Sequence, residues 1–321
     1  MPHGMTSRPP LLLQLERVTK RFKNGLIGRH QTVAVEGVDL KLEQGESLAI
    51  LGESGSGKST LGRLIAKLTH PTQGRILFEG RDVASLNGDN AAFRRDVQMI
   101  FQDADGSLNP RLTVRQLLLE PQLVHRLLPD GMDDEAEKLL GRAGLSSDLL
   151  SRRPSEISGG QRQRIGIIRA LSLSPKLVVA DEPLASLDRS VQAHILCLMR
   201  ETQQSLGTSF VYISHDIATV RLIADTAAIF YKGRIVEAGK LNRVLEAPLH
   251  PYTRRLIASD PSRMRLGGKR YSETVPVQSL SQTAPGCPYA PHCPETCSVC
   301  HRIKPELVES NGVSIACHAR M

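Results

Sequence analysis

A chain of 321 residues, 40% apolar and 23% charged, has room for one large domain or two smaller ones and the composition of a soluble fold. Its net charge of +8 admits an anionic partner, whether nucleic acid, a membrane face or a phosphorylated ligand, while 3% aromatic content without Trp argues against a base-stacking surface for single strands. No apolar run is long enough to cross a membrane, and "MPHGMTSRPPLLLQLERVTKRF" has too short an apolar stretch for a secretory signal, so a cytosolic chain is expected.

From Leu11 to Leu42 apolar residues alternate in "LQLERV" and "TVAVEGVDLKL", which predicts strands of an antiparallel sheet around a polar loop, "KNGLIGRHQ". "ESLAILGESGSGKSTLGRLIAKL" reads as a buried strand, a glycine-rich turn and a helix with Leu61, Leu64, Ile65 and Leu68 on its apolar face. "VQMIFQD" predicts another strand. From Leu112 to Gly144 the period is helical, broken at Pro121 and at "LPDGMDD". "GGQRQRIGIIRALSL" predicts a helix, "KLVVADEP" a buried strand ending in acids, and "VQAHILCLMRETQQSLG" a helix closed by Gly207. "SFVYISHD" reads as a strand and "TAAIFYKGRIVEAG" as a hairpin turning at Lys232-Gly233. Strands alternating with helices imply an α/β fold with a mainly parallel sheet covered on both faces. After Asp260 the composition shifts to Ser, Thr, Pro and Gly, which places a boundary there; no internal repeat is visible.

Residues Gly52, Glu53, Ser54, Gly55, Ser56, Gly57, Lys58, Ser59 and Thr60 fit G-x-x-x-x-G-K-[ST], between a predicted strand and a predicted helix. Phosphates need backbone N–H groups pointed at them, and glycines allow the turns that do this. The helix that follows aims its partly positive end at the same point. Lys58 can reach β- and γ-phosphates, and the Ser59 hydroxyl can ligate Mg²⁺. Asp181 and Glu182 end the strand "LVVA", at the crevice where α/β sheets bind ligands. Asp181 suits Mg²⁺, directly or through water, and Glu182 suits polarising an attacking water.

At "ISGGQRQR" the chain resembles the ATP-binding-cassette (ABC) ATPases, whose signature is LSGGQ; Ile157 replaces the leading Leu. Ser158, Gly159, Gly160 and Gln161 stand between the phosphate loop and the acid pair, in the family order. The resemblance covers residues 11–260 and implies an ATPase core with an antiparallel β subdomain and a helical subdomain at about 103–170. It makes Gln102 the metal-sensing glutamine, His215 the γ-phosphate histidine and Phe22 the aromatic that stacks on adenine. Ser186, Leu187 and Asp188 become a dimer-contact loop, and the signature completes the ATP site of a second cassette.

"SLNPR", "RRDVQMIFQD" and "HPYT" resemble the ATPases of dipeptide, oligopeptide and nickel importers, and the longer loop at residues 23–32 resembles the second ATPase of that branch. This implies a paralogous ATPase as heterodimer partner, two transmembrane permease subunits and an extracytoplasmic substrate-binding protein. It also implies a place on the cytoplasmic face of the inner membrane and peptides as cargo, with nickel or a metal chelate as the alternative. A cassette acting on DNA or ribosomes is the reading from another class, but it usually carries coiled-coil insertions or two cassettes, and neither is visible, so no nucleic acid is expected. A metal-binding regulator with a vestigial ATPase conflicts with an intact Lys58, Asp181, Glu182 and His215.

Five of the six cysteines lie in the segment after Asp260. A reducing compartment disfavours disulfides, so clustered thiols point to metal. In the branch resembled, Cys287, Cys293, Cys300 and Cys317 match the motif of a C-terminal extension, residues 261–321 here, and Cys297 is extra. The resemblance implies a [4Fe-4S] cluster. Zinc is the alternative, because Cys297-x2-Cys300 resembles a zinc knuckle and His292, His301 and His318 are near. Either would stabilise a tail with few large apolar residues.

Overall fold

The computed structural model describes residues 10–24, 30–86, 90–103, 106–127, 132–260 and 285–320. The centre of the expected loop "KNGLIGRHQ", most of "LPDGMDD" and the first part of the cysteine-bearing extension lie outside the described residues.

In chain order, β1 (Leu11–Asn24) and β2 (His30–Glu43) lead into β3 (Ser47–Leu51) and α1 (Lys58–Ile65). Then come β4 (Gln73–Phe78), β5 (Arg81–Asp82), α2 (Ala91–Asp96) and β6 (Val97–Ile100). A helical stretch holds α3 (Val114–Val124), α4 (Met132–Arg142) and α5 (Gly159–Leu171). It is followed by β7 (Leu177–Asp181), α6 (Arg189–Leu206), β8 (Ser209–Ser214) and α7 (Ile217–Ile223). β9 (Thr226–Tyr231), β10 (Arg234–Lys240), α8 (Leu241–Glu246) and α9 (Pro251–Ala258) come next, and β11 (Val308–Ser310) and β12 (Val313–Ile315) end the series.

The strands form two sheets. β2-β1-β4-β5 is antiparallel throughout. The larger sheet runs β11-β12-β10-β9-β3-β8-β7-β6, parallel from β9 to β6 and antiparallel at the other end. Its central strands are buried on both faces, so they read as continuous apolar runs. Successive side chains nevertheless go to different cores. Leu48 and Ile50 of β3, Val179 of β7 and Val211 and Ile213 of β8 meet Leu61, Leu64 and Ile65 of α1 and the inner face of the antiparallel sheet. On the other face, Val178, Ala180, Phe210 and Tyr212 pack with α3–α6, while Ala49 and Leu51 pack with α7–α9. Helix α1 thus lies clamped between the two sheets, directly after the glycine-rich turn.

Three expectations change. Helix α3 continues through Pro121 to Val124. A capping box of Thr113 and Gln116 starts it, and its buried Val114, Leu117, Leu118, Leu119 and Gln122 hold it, which outweighs one missing N–H. Leu68 is not on the apolar face of α1: Lys67 turns the chain at φ 55° and Leu68 is left 55% exposed. The third concerns strands that the apolar pattern did not single out, β4 and β5 in the antiparallel sheet and β11 and β12 in the extension. β12 pairs with β10, Glu237 opposite Ile315, so the extension is built onto the main sheet. The hairpin at Lys232-Gly233 is as expected, with both residues at positive φ (45° and 84°).

Ile315 is 1% exposed beside the main core. Ile315→Ala should lower the stability of the cassette itself by roughly 2–4 kcal/mol. Denaturant melts of the full chain read this; a transition left in place would mean that β12 contributes nothing to the sheet it joins.

Candidate functional site

The glycine-rich turn is shaped by close backbone approach. A Cβ on Gly52 would stand 2.1 Å from the Phe230 carbonyl oxygen, and one on Gly57, at φ 106°, 2.0 Å from that of Ala34. Only glycine fits either position. Gly57 is also the N-cap of α1, so the helix begins where the turn ends, with its unpaired N–H groups facing the turn. Lys58 is 5% exposed, and its Nζ donates to the carbonyls of Gly52 (2.8 Å) and Glu53 (2.7 Å) and lies 3.5 Å from Ser56 Oγ. Burial pushes the Lys58 ammonium below its ordinary pKa, and Glu182, Asp181 and Glu53 pull the other way.

The ends of β3, β6, β7 and β8 bring the remaining groups together. Ser59 Oγ donates to Asp181 Oδ1 at 3.1 Å. Asp181 is 3% exposed, and burial raises its pKa against the opposing Ser59 bond. Glu182 follows at φ 44°, its N–H bonded to the Ile213 carbonyl at 2.9 Å, which turns its side chain away from the strand direction. Gln102 Nε2 donates to Glu182 Oε2 at 3.3 Å, and His215 Nδ1 stands 3.0 Å from Glu182 Oε1. Lys58, Ser59, Gln102, Asp181, Glu182 and His215 therefore make one constellation, although they come from the start of α1 and the ends of β6, β7 and β8. It offers a cation and helix N–H groups for phosphate, hydroxyl and carboxylate oxygens for a divalent cation, and a second carboxylate held from two sides.

Other expected residues lie apart from it. Phe22 sits on β1 with its ring 41% exposed and Lys20 Nζ 5.1 Å from the ring centroid, an open face for a planar group. Ser158 is exposed at the N-cap of α5, in a capping box with Gln161: Ser158 N donates to Gln161 Oε1 (2.8 Å) and Gln161 N to Ser158 Oγ (3.3 Å). Gly160 adjoins Leu187 and Ser186, so residues 158–161 and 186–188 lie side by side. Asp188 caps α6 by accepting from Val191 N at 3.0 Å.

Cys300 and Cys317 are buried, Cys287 and Cys293 half-buried, and Cys297 exposed with its Sγ 3.3 Å from that of Cys300. Burial raises the thiol pKa values of Cys287, Cys293 and Cys317, whereas hydrogen bonding to Cys300 lowers that of Cys297. Among the described residues, no three His, Cys, Asp or Glu side chains stand at metal-holding spacing.

Two residues at the site escaped the sequence reading. Gln163, 3% exposed, donates to the carbonyls of Pro183 (3.0 Å) and Phe101 (3.4 Å), so α5 is bonded to the segments that carry Glu182 and Gln102. Its place two residues after the signature was the available signal. Tyr252, in "HPYT", accepts the Glu53 N–H at 3.0 Å, and no local pattern indicates that contact.

The family model described as ABC transporter matches residues 35–185, and that described as Oligopeptide/dipeptide transporter, C-terminal region, matches residues 236–300. The chain is 44% identical to the probable peptide ABC transporter ATP-binding protein y4tS of Sinorhizobium fredii, over 96% of this chain and 90% of that one. It is 40% identical to the oligopeptide transport ATP-binding protein AppF of Bacillus subtilis, over 96% and 97%, and 38% identical to the dipeptide transport ATP-binding protein DppF of Escherichia coli, over 98% and 96%. Among solved structures, a dimeric post-hydrolysis state of the ATP-binding cassette MJ0796 bound to ADP and Pi covers 72% of this chain and 99% of its own, with TM-score 0.66 and 30% identity.

Gly55, at φ 76°, faces open space where Gly57 faces a carbonyl. Gly57→Ala should lower nucleotide affinity by at least about tenfold, because the turn must move to admit the methyl group, and Gly55→Ala should cost much less. Titration with a fluorescent ATP analogue checks the contrast.

Proposed function

The chain belongs to the ABC transporter ATP-binding proteins, and on that premise we propose that it is the ATP-hydrolysing subunit of an importer for short peptides. The observation that carries the reading is the meeting of Lys58, Ser59, Gln102, Asp181, Glu182 and His215 at one end of the parallel sheet. The relatives named above are peptide, oligopeptide and dipeptide transport proteins. The nickel alternative draws nothing from them.

In this reading the N–H groups at the start of α1 and along residues 52–60 receive the phosphates, and Phe22 receives the adenine. Lys58 exchanges its carbonyl partners for phosphate oxygens, whose negative charge favours the ammonium that burial opposes. Ser59 and Asp181, with the side-chain carbonyl of Gln102, would hold Mg²⁺; the donor set is all oxygen and fits. When bound, the ion neutralises charge on the β- and γ-phosphates. Glu182 orients the water that attacks the γ-phosphate and draws on its proton, and His215 and Gln102 keep that carboxylate aimed.

Ser158 and Gly159, exposed, and Gly160 and Gln161, half-buried, stand at the start of α5 with Ser186, Leu187 and Asp188 beside them, and would complete the site of a paralogous cassette facing them. A cavity of about 680 Å³ opens between α1–α2 and α3, with Phe93, Met99, Pro121 and Val124 in its wall. Leu68 and Val124 at its rim are 55% and 70% exposed, which suits a helix of one of two permease subunits. That contact would hold the chain at the cytoplasmic face of the membrane, while an extracytoplasmic protein delivers the peptide. Among the described residues no helix is long and apolar enough to cross the bilayer itself.

The thiols of Cys287, Cys293, Cys300 and Cys317 are proposed as ligands of a [4Fe-4S] cluster, with zinc as the alternative. The four thiols are the donor chemistry that such a cluster takes, and Cys300 and Cys317 are buried while Cys297 is exposed.

Two measurements test the proposal. Glu182→Gln in the assembled importer should keep ATP binding and lose at least about a hundredfold in turnover; near-normal hydrolysis would remove Glu182 from the mechanism. Protein purified without oxygen should be brown and contain iron and acid-labile sulfide, lost on Cys300→Ser but kept on Cys297→Ser. Stoichiometric zinc without iron would overturn the cluster.

A further inference from the structure

The motif at His250–Thr253 has no part in the chemistry above, yet its residues are among the most buried polar ones in the chain. They form a chain of contacts that ends on the phosphate loop. Glu237, fully buried on β10, accepts the N–H of Leu249 through Oε1 and that of His250 through Oε2, both at 2.9 Å. These bonds fix the turn into α9. His250 caps that helix, its Nδ1 accepting the Tyr252 N–H at 3.0 Å. Pro251 follows at the first helical position, where its missing N–H costs nothing. Tyr252 is thereby aimed at the loop, and its hydroxyl accepts the Glu53 N–H at 3.0 Å. The Glu53 carbonyl takes the Lys58 ammonium at 2.7 Å and the Ser56 N–H at 3.3 Å. One residue, Glu53, is thus held by the motif through its N–H and holds the phosphate-binding lysine through its carbonyl, and the Gly52 carbonyl, in the same peptide group as that N–H, takes the lysine too.

The Tyr252 ring continues the path into the cysteine-bearing extension. Its centroid is 4.5 Å from that of Tyr231 and 5.5 Å from that of Tyr289, and Tyr231 and Tyr289 meet edge to face at 5.3 Å and 89°. Tyr289 is 3% exposed, two residues after Cys287, and the Ala290 N–H closes a turn onto the Cys287 carbonyl at 3.0 Å. Cys287 and Cys293 pack against the same cluster. Aromatic pairs of this geometry contribute beyond simple burial, so Tyr289 helps to set where Tyr252 lies.

We propose that Tyr252 is a positioning residue of the phosphate loop, and that Tyr289 makes the extension part of the same brace. The extension then raises the affinity of the loop for ATP without touching the nucleotide. The proposal rests on residues 52–60 being the ATP phosphate site.

The test uses the full chain with ATP and Mg²⁺, Kd read by calorimetry and steady-state rates in the assembled importer. Tyr252→Phe keeps the ring and removes only the acceptor. It should raise Kd and KM about 3- to 10-fold and leave kcat within about twofold. Tyr289→Leu should raise Kd in the wild-type background but add nothing in the Tyr252→Phe background, because its effect passes through the hydroxyl. An unchanged Kd for Tyr252→Phe, or full additivity of the two changes, overturns the brace. If Tyr289→Leu does not fold, Tyr252→Phe decides alone. Lys58→Ala separates the two levels: retained ATP binding there faults the site itself, whereas lost binding there with an unchanged Tyr252→Phe faults only the brace.

Discussion

Two carbonyl oxygens, those of Ala34 and Phe230, leave no room for a side chain at Gly57 and Gly52 of the glycine turn. Ala34 belongs to the antiparallel sheet and Phe230 to the large one. The glycine turn therefore lies where the two sheets meet, and carbonyls of both limit the residues it can hold. Gly233, at the tip of the β9–β10 hairpin, fastens the same junction: its N–H donates to the Ser56 carbonyl and its carbonyl accepts the Glu36 N–H, both at 2.8 Å. The apolar face of α1 fills the space that the sheets leave, which directs its N-terminus along the crevice. Binding of phosphate and assembly of the fold are thus one geometric problem.

Electrostatically the site is arranged for what it lacks. Burial disfavours the charge of Lys58 and that of Asp181, against the pull of Glu182, Asp181 and Glu53 on the first and of Ser59, Arg63 and Lys58 on the second. An anion beside Lys58 and a cation beside Asp181 would relieve both at once. A nucleotide with its divalent ion carries that pair. Affinity in such a site comes from restoring charged states that folding has penalised, as well as from new contacts.

The parts of this arrangement that were legible in the sequence are local. Continuous apolar runs gave away β3, β7 and β8, because parallel strands are buried on both faces. The glycine-lysine-serine spacing and the acid pair are short patterns whose meaning lies within a few residues. β4 was missed because the first half of "QGRILF" is exposed, leaving Ile76 and Phe78 as its buried side chains. β11 is exposed along its length and only three residues long, so it carries no apolar signal. The bond from Tyr252 to Glu53 spans 199 positions, and no period or motif reports a contact of that kind. Pro121 misled for a related reason: the capping box and the buried face that sustain α3 matter more than the one residue that disfavours it.

The pairing of β12 with β10 has a consequence for how the molecule is made. During synthesis the cassette strands emerge first, and β10 then stands at the rim of the sheet with a row of open N–H and C=O groups. The strand that covers this rim leaves the ribosome well after β10, behind α8, α9 and the segment that links them to β11 and β12. Until then the nascent cassette presents a sticky border to any other chain, and its quality control depends on whether the late hairpin arrives before a neighbour does.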